Sequence, residues 1–249
     1  MHARFYHPAE ISAGQLIELS DANQHHAAQV LRLKKGDAVT LFNGQGGEFT
    51  AHIDQVRKSG TTVLVGAYHD IDRESPLFIE LAQAICVNEK MDWIIQKTVE
   101  LGVTHIQPVS TARSIVHLSG ERASKRQQHW QKIIVSACEQ CGRNQVPVVS
   151  PLMTLPQWLS QKKVDKSPHD LCLMLSPTAS QSLHDIVKPA ANAHVTLVTG
   201  PEGGFTAEEE AAILHSGGFT PIRLGKRILR TESAALAAIA AIQTLWGDF

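Results

Sequence analysis

A chain of 249 residues with 43% hydrophobic and 19% charged content can bury a real core, which excludes a disordered or low-complexity protein and leaves one large domain or two small ones. A formal net charge of −1 excludes indiscriminate attraction to polyanions over the whole surface, and four cysteines are too few for a disulfide framework in a chain this long. Residues 1–10 carry no apolar run behind a basic start, and the longest apolar stretch, 234–242, is far short of the ~20 residues that span a bilayer, so a cytoplasmic protein with reduced thiols and no membrane segment is expected.

Along the chain, residues 38–43, 48–57 and 61–68 read as short strands separated by turn signals, the first two by the Gly-rich stretch 44–47. This pattern predicts a small β-barrel. Before it, residues 22–33 place Ala27, Val30, Leu31 and Leu33 at near-helical spacing and predict one helix. The polar stretch 70–76 reads as a linker, which puts the expected domains at residues 1–72 and 73–249.

Beyond the linker, strands alternate with helices. Residues 77–85 form a buried strand, and Met91, Ile94, Ile95, Thr98 and Leu101 mark one face of a helix closed by Gly102. Residues 106–109 are the next strand. A long helix follows, in which Trp130, Ile133, Ile134, Ala137, Cys138 and Cys141 share an apolar side that should bury both cysteines. Residues 171–175 and 195–199 add two apolar strands, Thr206 and Glu209 have the spacing of a capping box, 222–224 is a last short strand, and 231–246 is an Ala-rich helix. The alternation predicts an α/β domain with a mainly parallel sheet.

Three segments carry candidate chemistry. The loop Thr199-Gly200-Pro201-Glu202-Gly203-Gly204 lies between a strand and a helix start, where open α/β sheets bind ligands, although the same glycines would also serve a plain tight turn. It matches neither a Walker loop nor the dinucleotide fingerprint, and Glu202 would repel phosphate. In Leu224-Gly225-Lys226-Arg227-Ile228-Leu229-Arg230-Thr231-Glu232, the apolar Ile228 and Leu229 stand on a loop and need a cover such as an adenine ring, while Thr231 and Glu232 equally suit a capped helix start. The third segment, 138–144, holds a Cys-x-x-Cys without companion ligands, so no metal site is expected; Arg143 and Asn144, past the Gly142 stop, read as exposed groups able to hold phosphate or a base edge. Basic residues also cluster. Residues 110–147 hold six Lys or Arg, Arg113 among them, against two Glu, and 221–232 hold four against one, although both islands could be solvated helix faces.

In these motifs the chain resembles the SPOUT-class methyltransferases that methylate N3 of a uridine in 16S ribosomal RNA. The likeness is carried by Phe5-Tyr6-His7, Val30-Leu31-Arg32, Gly36-Asp37 and Leu41-Phe42-Asn43-Gly44, with Asn43 where Asp is commoner. Farther on it is carried by Glu89-Lys90-Met91, Gln96-Lys97, Glu100-Leu101-Gly102, residues 138–143, 200–204 and 229–232, with Ser233-Ala234 where Thr-Thr or Thr-Ala is more frequent. The resemblance implies a PUA-like barrel followed by a trefoil-knotted α/β domain, a homodimer joined through the catalytic domains, and S-adenosylmethionine held by the knot loops. Carried over by position, the cofactor residues are Leu175, Thr199, Gly200, Pro201, Glu202, Gly203, Gly204, Leu224, Gly225, Ile228, Leu229, Arg230 and Thr231.

Methylating uracil N3 requires loss of its proton, so Glu232 is the expected proton acceptor or relay, with Arg230 or Arg143 supporting charge on the uracil oxygens. The RNA-binding candidates are Arg4, Arg32, Lys34, Lys35, Arg73, Arg113, Arg143 and Asn144; residues 1–73 hold seven basic and eight acidic residues, so a single face must carry the barrel's contacts. Two other readings compete: a non-catalytic RNA-binding or ribosome-assembly protein of the same fold, and a nucleotide-dependent α/β enzyme, which the missing Walker lysine disfavours.

Overall fold

The structure, a computed structural model, describes residues 3–57, 60–162, 170–216 and 218–249. It divides into two compact units, Met1–Glu74 with Val135–Val146, and Ser75–Ile134 with Pro147–Phe249.

The first unit holds β1 (Ala3–Tyr6), β2 (Leu16–Glu18), α1 (Asp21–His25), β3 (Ala38–Phe42), β4 (Glu48–Arg57) and β5 (Gly60–His69). Its five-stranded sheet runs β1-β3-β4-β5-β2, with β1 and β3 parallel and the other pairs antiparallel. Strand alternation sends Val63 and Val65 of β5 inward with Phe5, Ile17, Val39, Leu41, Ala51 and Ile53, while Leu64 stays exposed. Register shifts between Phe49 and Ala51 and between Ile53 and Gln55 bend β4 so that one sheet can curl around that core.

The helix expected over 22–33 is interrupted. Ser20 caps α1 by accepting the Asn23 N–H, and the chain then widens into a π-helical turn, His26–Val30, where Leu31 N–H reaches His26 O. The wider turn and the left-handed Arg32 (φ 54°) rotate the apolar side away: Ala27 is buried, but Val30 and Leu31 are exposed.

In the second unit, β6 (Phe78–Ala84), β7 (His105–Ser110), β8 (Val148–Val149), β9 (Met153–Thr154), β10 (Asp170–Leu175), β11 (His194–Thr199) and β12 (Phe219–Ile222) form an all-parallel sheet in the order β12-β10-β11-β6-β7-β8, with β9 also on β7. The helices are α2 (Asn88–Glu100), α3 (Gly120–Cys141), whose residues 135–141 belong to the first unit, α4 (Leu155–Gln161), α5 (Ala207–His215) and α6 (Thr231–Trp246). Ala82 and Ala84 of β6, Met174 of β10 and Val198 of β11 pack one face of the sheet with Leu155 and Trp158 of α4 and Ile213 of α5. The α/β class is as the sequence implies.

Local chemistry explains the ends of these helices. Thr206 and Glu209 form the anticipated capping box of α5, and Thr154 with Gln157 forms another at α4. α2 stops at Gly102, whose φ of +90° is left-handed. The buried Gln243 of α6 donates to Leu101 O and accepts from the Ser75 hydroxyl, tying the last helix to the end of α2. Two boundaries differ from expectation. β12 ends at Ile222, which leaves Leu224 in the following loop, and Cys141 is only half-buried while Cys138 is fully covered. Burial pushes the Cys138 thiol up to about 12, so it is an inert packing group.

Candidate active site

The chain leaves β6 toward β7 and β8 on one side of the sheet and later fills the other side with β11, β10 and β12, so the strand order reverses between β6 and β11. Such a reversal opens a crevice at the carboxyl ends of the strands. There the structure has a cavity of about 530 Å³, inside the range of small-molecule sites. Its walls are the residues after β10 (Leu175 to Pro177), after β11 (Thr199 to Phe205) and after β12 (Ile222 to Gly225 and Arg227 to Thr231), together with Lys90, Glu210 and Ala234.

All of the residues named from the sequence as cofactor-binding line this one cavity. Gly204 (φ +68°) and Gly225 (φ +74°) sit at left-handed turns that a side chain would strain. Ile228 is 83% exposed, an apolar side chain of the cavity wall with nothing over it. Thr231 is the first residue of α6 and does not cap it: its hydroxyl donates to Gly200 O at 2.7 Å and accepts from Gln83 Nε2 at 3.1 Å. Gln83 is the register partner of Thr199, so sheet, Gly-rich loop and α6 meet at one hydroxyl.

Several buried polar atoms at this end of the sheet have no hydrogen-bond partner among the described residues: Gln83 Oε1, Thr199 Oγ1, Glu202 Oε2 and Glu232 Oε2. Lys90, in the first turn of α2, connects two of these side chains. Its Nζ lies 3.2 Å from Glu202 Oε1, which also accepts the Val87 N–H at 3.1 Å, and 3.9 Å from Glu232 Oε2. Burial opposes ionisation of Glu202, but hydrogen bonds from its own N–H, from Val87 N–H and from Lys90 outweigh it and hold the carboxyl below its ordinary value. Glu232 does not line the cavity; Lys90 does. Lys90 falls within the Glu89-Lys90-Met91 motif, where no role is evident from the sequence. Its place just beyond a strand at the reversal point was the available signal.

The other candidates are distributed differently. Arg230 lines the cavity and is exposed. Arg113 donates to Gly203 O at 3.0 Å and Phe205 O at 3.1 Å, so its guanidinium latches the Gly-rich loop. Arg143 and Asn144 are not exposed, contrary to the sequence reading: they are 5% and 1% accessible and sit in a polar network of the first unit. Arg143 pairs with Glu74 at 2.6 Å, and Asn144 accepts from Arg4 at 2.6 Å while donating to Glu48 and Ile71 O. Glu48 also holds Arg4 at 2.5 Å and Arg73 at 2.7 Å. Burial raises the Glu48 carboxyl, yet hydrogen bonds from Arg73, Arg4 and Asn144 bring it down to about 2. Arg4 is therefore also consumed internally, its two terminal nitrogens donating to Glu48, Asn144 and Arg143 O. Arg32, Lys34 and Lys35 are exposed. Among the described residues, no three His, Cys, Asp or Glu side chains come together to hold a metal ion, and no helix is long and apolar enough to cross a membrane.

A parallel α/β domain with a cavity at its strand reversal, following a small curled sheet, is the architecture of a ligand-binding enzyme with an added module. Comparison narrows it. Residues 73–243 match the family model described as an RNA methyltransferase domain, and residues 19–63 match an RNA methyltransferase PUA domain. The chain is 35% identical to ribosomal RNA small subunit methyltransferase E of Buchnera aphidicola, over 99% of this chain and 94% of that one, and 31% identical to the Bacillus subtilis protein of the same name, over 94% and 91%. Among solved structures, a Legionella pneumophila methyltransferase in complex with its bound cofactor SAM superposes with a TM-score of 0.93 at 41% identity. A Neisseria gonorrhoeae ribosomal RNA small subunit methyltransferase E bound to S-adenosyl methionine gives 0.90 at 42%, and both matches cover 100% of each chain. The chain belongs to this RNA methyltransferase family.

Proposed function

We propose that the protein methylates N3 of a specific uridine in 16S ribosomal RNA of the small subunit, using S-adenosylmethionine. The observation that carries the reading is the cavity at the ends of β10, β11 and β12 in a chain of this family. Its groups fit the cofactor: Ile228, Leu229 and Leu224 offer apolar cover for a flat adenine, and Thr199 Oγ1, which has no hydrogen-bond partner among the described residues, suits the donors of a methionine tail. A nucleoside triphosphate fits poorly. Lys90 is committed to Glu202, and that carboxylate faces the space that a phosphate would need.

When bound, S-adenosylmethionine supplies an electrophilic methyl group on a sulfonium, whose carbon–sulfur bonding pair leaves with sulfur. The cavity residues position that methyl in line with the nucleophile, and Arg230 at the mouth supports charge on the uracil oxygens. Glu232 holds the Lys90 ammonium at the cavity wall. In this reading residues 1–72 bind RNA through the exposed Arg32, Lys34 and Lys35, residues 73–249 carry out the transfer, and two chains pair through the second unit, whose chain is threaded as a trefoil knot in the cytoplasm-resident protein.

Mass spectrometry of ribosomal RNA from cells lacking the protein tests the reading. A missing N3-methyluridine in 16S RNA, restored by the gene, is expected; an unchanged modification profile overturns it. Charge reversal at Arg32 and Lys34 should weaken RNA binding and flatten its salt dependence without altering cofactor affinity in calorimetry. Light scattering of the purified protein should give twice the 27.2 kDa chain mass.

A further inference from the structure

Uracil N3 bears a proton, so its lone pair becomes a nucleophile only when that proton is accepted and the resulting charge, shared with the neighbouring carbonyl oxygens, is stabilised. The cavity wall supplies few groups for this. Of its cations, Arg223, Arg227 and Arg230 are exposed, whereas Lys90 is half-buried and held from two sides by Glu202 and Glu232. Of its carboxylates, Glu202 has one oxygen anchored by Val87 N–H and Lys90 and the other buried without a partner, and Glu210 has no such arrangement among the described residues. An anchored carboxylate with one free buried oxygen is a poised acceptor, since gaining a proton donor there satisfies an atom that is otherwise unpaired.

We infer that Lys90 and Glu202 are the chemical pair of this site: Lys90 donates a hydrogen bond to a uracil carbonyl oxygen, and Glu202 Oε2 takes the N3 proton. The inference rests on the uridine-N3 reading above. The N3–H bonding pair stays on nitrogen and forms the new N–CH3 bond, the proton moves to Glu202 Oε2, and it passes to solvent after turnover. Glu232 lies outside the cavity lining, 3.9 Å behind Lys90 Nζ, and is a positioning residue that keeps the ammonium aimed. This moves the proton acceptor from the start of α6 to the Gly-rich loop, which lines the cavity directly.

The test combines calorimetry with S-adenosylmethionine and single-turnover methylation of two RNAs, one with uridine and one with 5-fluorouridine at the target, whose N3–H is more acidic. Glu202→Gln should keep cofactor affinity within about threefold, lose at least about a hundredfold in rate on uridine, and regain much of that loss on 5-fluorouridine. Lys90→Met should behave likewise, and Glu232→Gln should cost rate in the wild-type background but nothing further when Lys90 is already Met. Cofactor affinity also reports folding of each variant. Equal losses on both RNAs, or a collapse of cofactor affinity in Glu202→Gln, would overturn the inference and make Glu202 a cofactor ligand. If the wild-type product carries its methyl elsewhere than N3, the functional reading itself fails; a normal N3 product with unimpaired Lys90 and Glu202 variants sinks only this inference.

Discussion

Each unit buries a cluster of charged side chains, and the two clusters are satisfied to different degrees. In the first unit, Glu48 receives hydrogen bonds from Arg4, Arg73 and Asn144, and Glu74 receives Arg143 and the Gln145 N–H; one nitrogen, Arg4 Nε, is left over. In the second, Lys90 faces two carboxylates, each of which keeps a buried oxygen without a hydrogen-bond partner among the described residues, and Thr199 and Gln83 add two more such oxygens nearby. Burying an unpaired polar atom costs stability, so a native protein tolerates several together only where something else completes them. The closed network builds structure; the open one awaits a ligand.

The largest expected effect breaks the closed side. Glu48→Ala leaves the Arg4 guanidinium buried without its anion and should lower stability by about 3–5 kcal/mol, seen as a large drop in Tm. Because the Glu48 carboxyl is held near 2 in the folded chain, against an ordinary value of 4.5, its contribution is complete above about pH 4.5 and is lost as pH falls toward 2. The Tm of the wild type should therefore fall through that window more steeply than that of Glu48→Gln. A smaller effect is expected where the open side meets the sheet. Thr231→Val removes the hydroxyl shared by Gly200 and Gln83 and should cost about 1–3 kcal/mol, with weaker S-adenosylmethionine binding in calorimetry. The smallest stability change sharpens the contrast: Ile228→Ala, at a side chain exposed in the free protein, should leave the free energy of unfolding within about 0.5 kcal/mol of the wild type yet weaken cofactor binding by roughly tenfold. Equal stability losses for Ile228→Ala and Glu48→Ala would erase the distinction between the clusters.

Much of this was legible in the sequence because it depends on local chemistry. The Thr206 capping box, the Gly102 stop and the start of α6 at Thr231 are written in neighbouring residues. The cavity wall was legible for a different reason. Two of its three loops, 199–204 and 224–232, carry glycines beside ligand-facing groups and could be picked out separately, whereas Leu175 of the third was reached only through likeness to the family. What escaped depended on contacts between distant positions. Nothing around Arg143 or Asn144 announces that Arg4, Glu48 and Glu74, far away in the chain, will bury them. Glu232 looked like a chemical group from its place at a helix start, but only the fold puts it outside the cavity lining and 3.9 Å from Lys90. The helix expected at 22–33 failed because the apolar spacing said nothing of the π-helical turn or of the left-handed Arg32.

The bond between Thr231 and Gly200 also has a consequence for synthesis. The Gly-rich loop emerges from the ribosome some thirty residues before the hydroxyl that fixes it. Until residues 231–246 are out and Gln243 has closed on Leu101, the nascent sheet can be complete while the cavity lacks one of its walls. Cofactor capture is thus a late event in the life of each new chain, and a ribosome-stalled chain cut short within α6 should acquire its sheet but not its ligand.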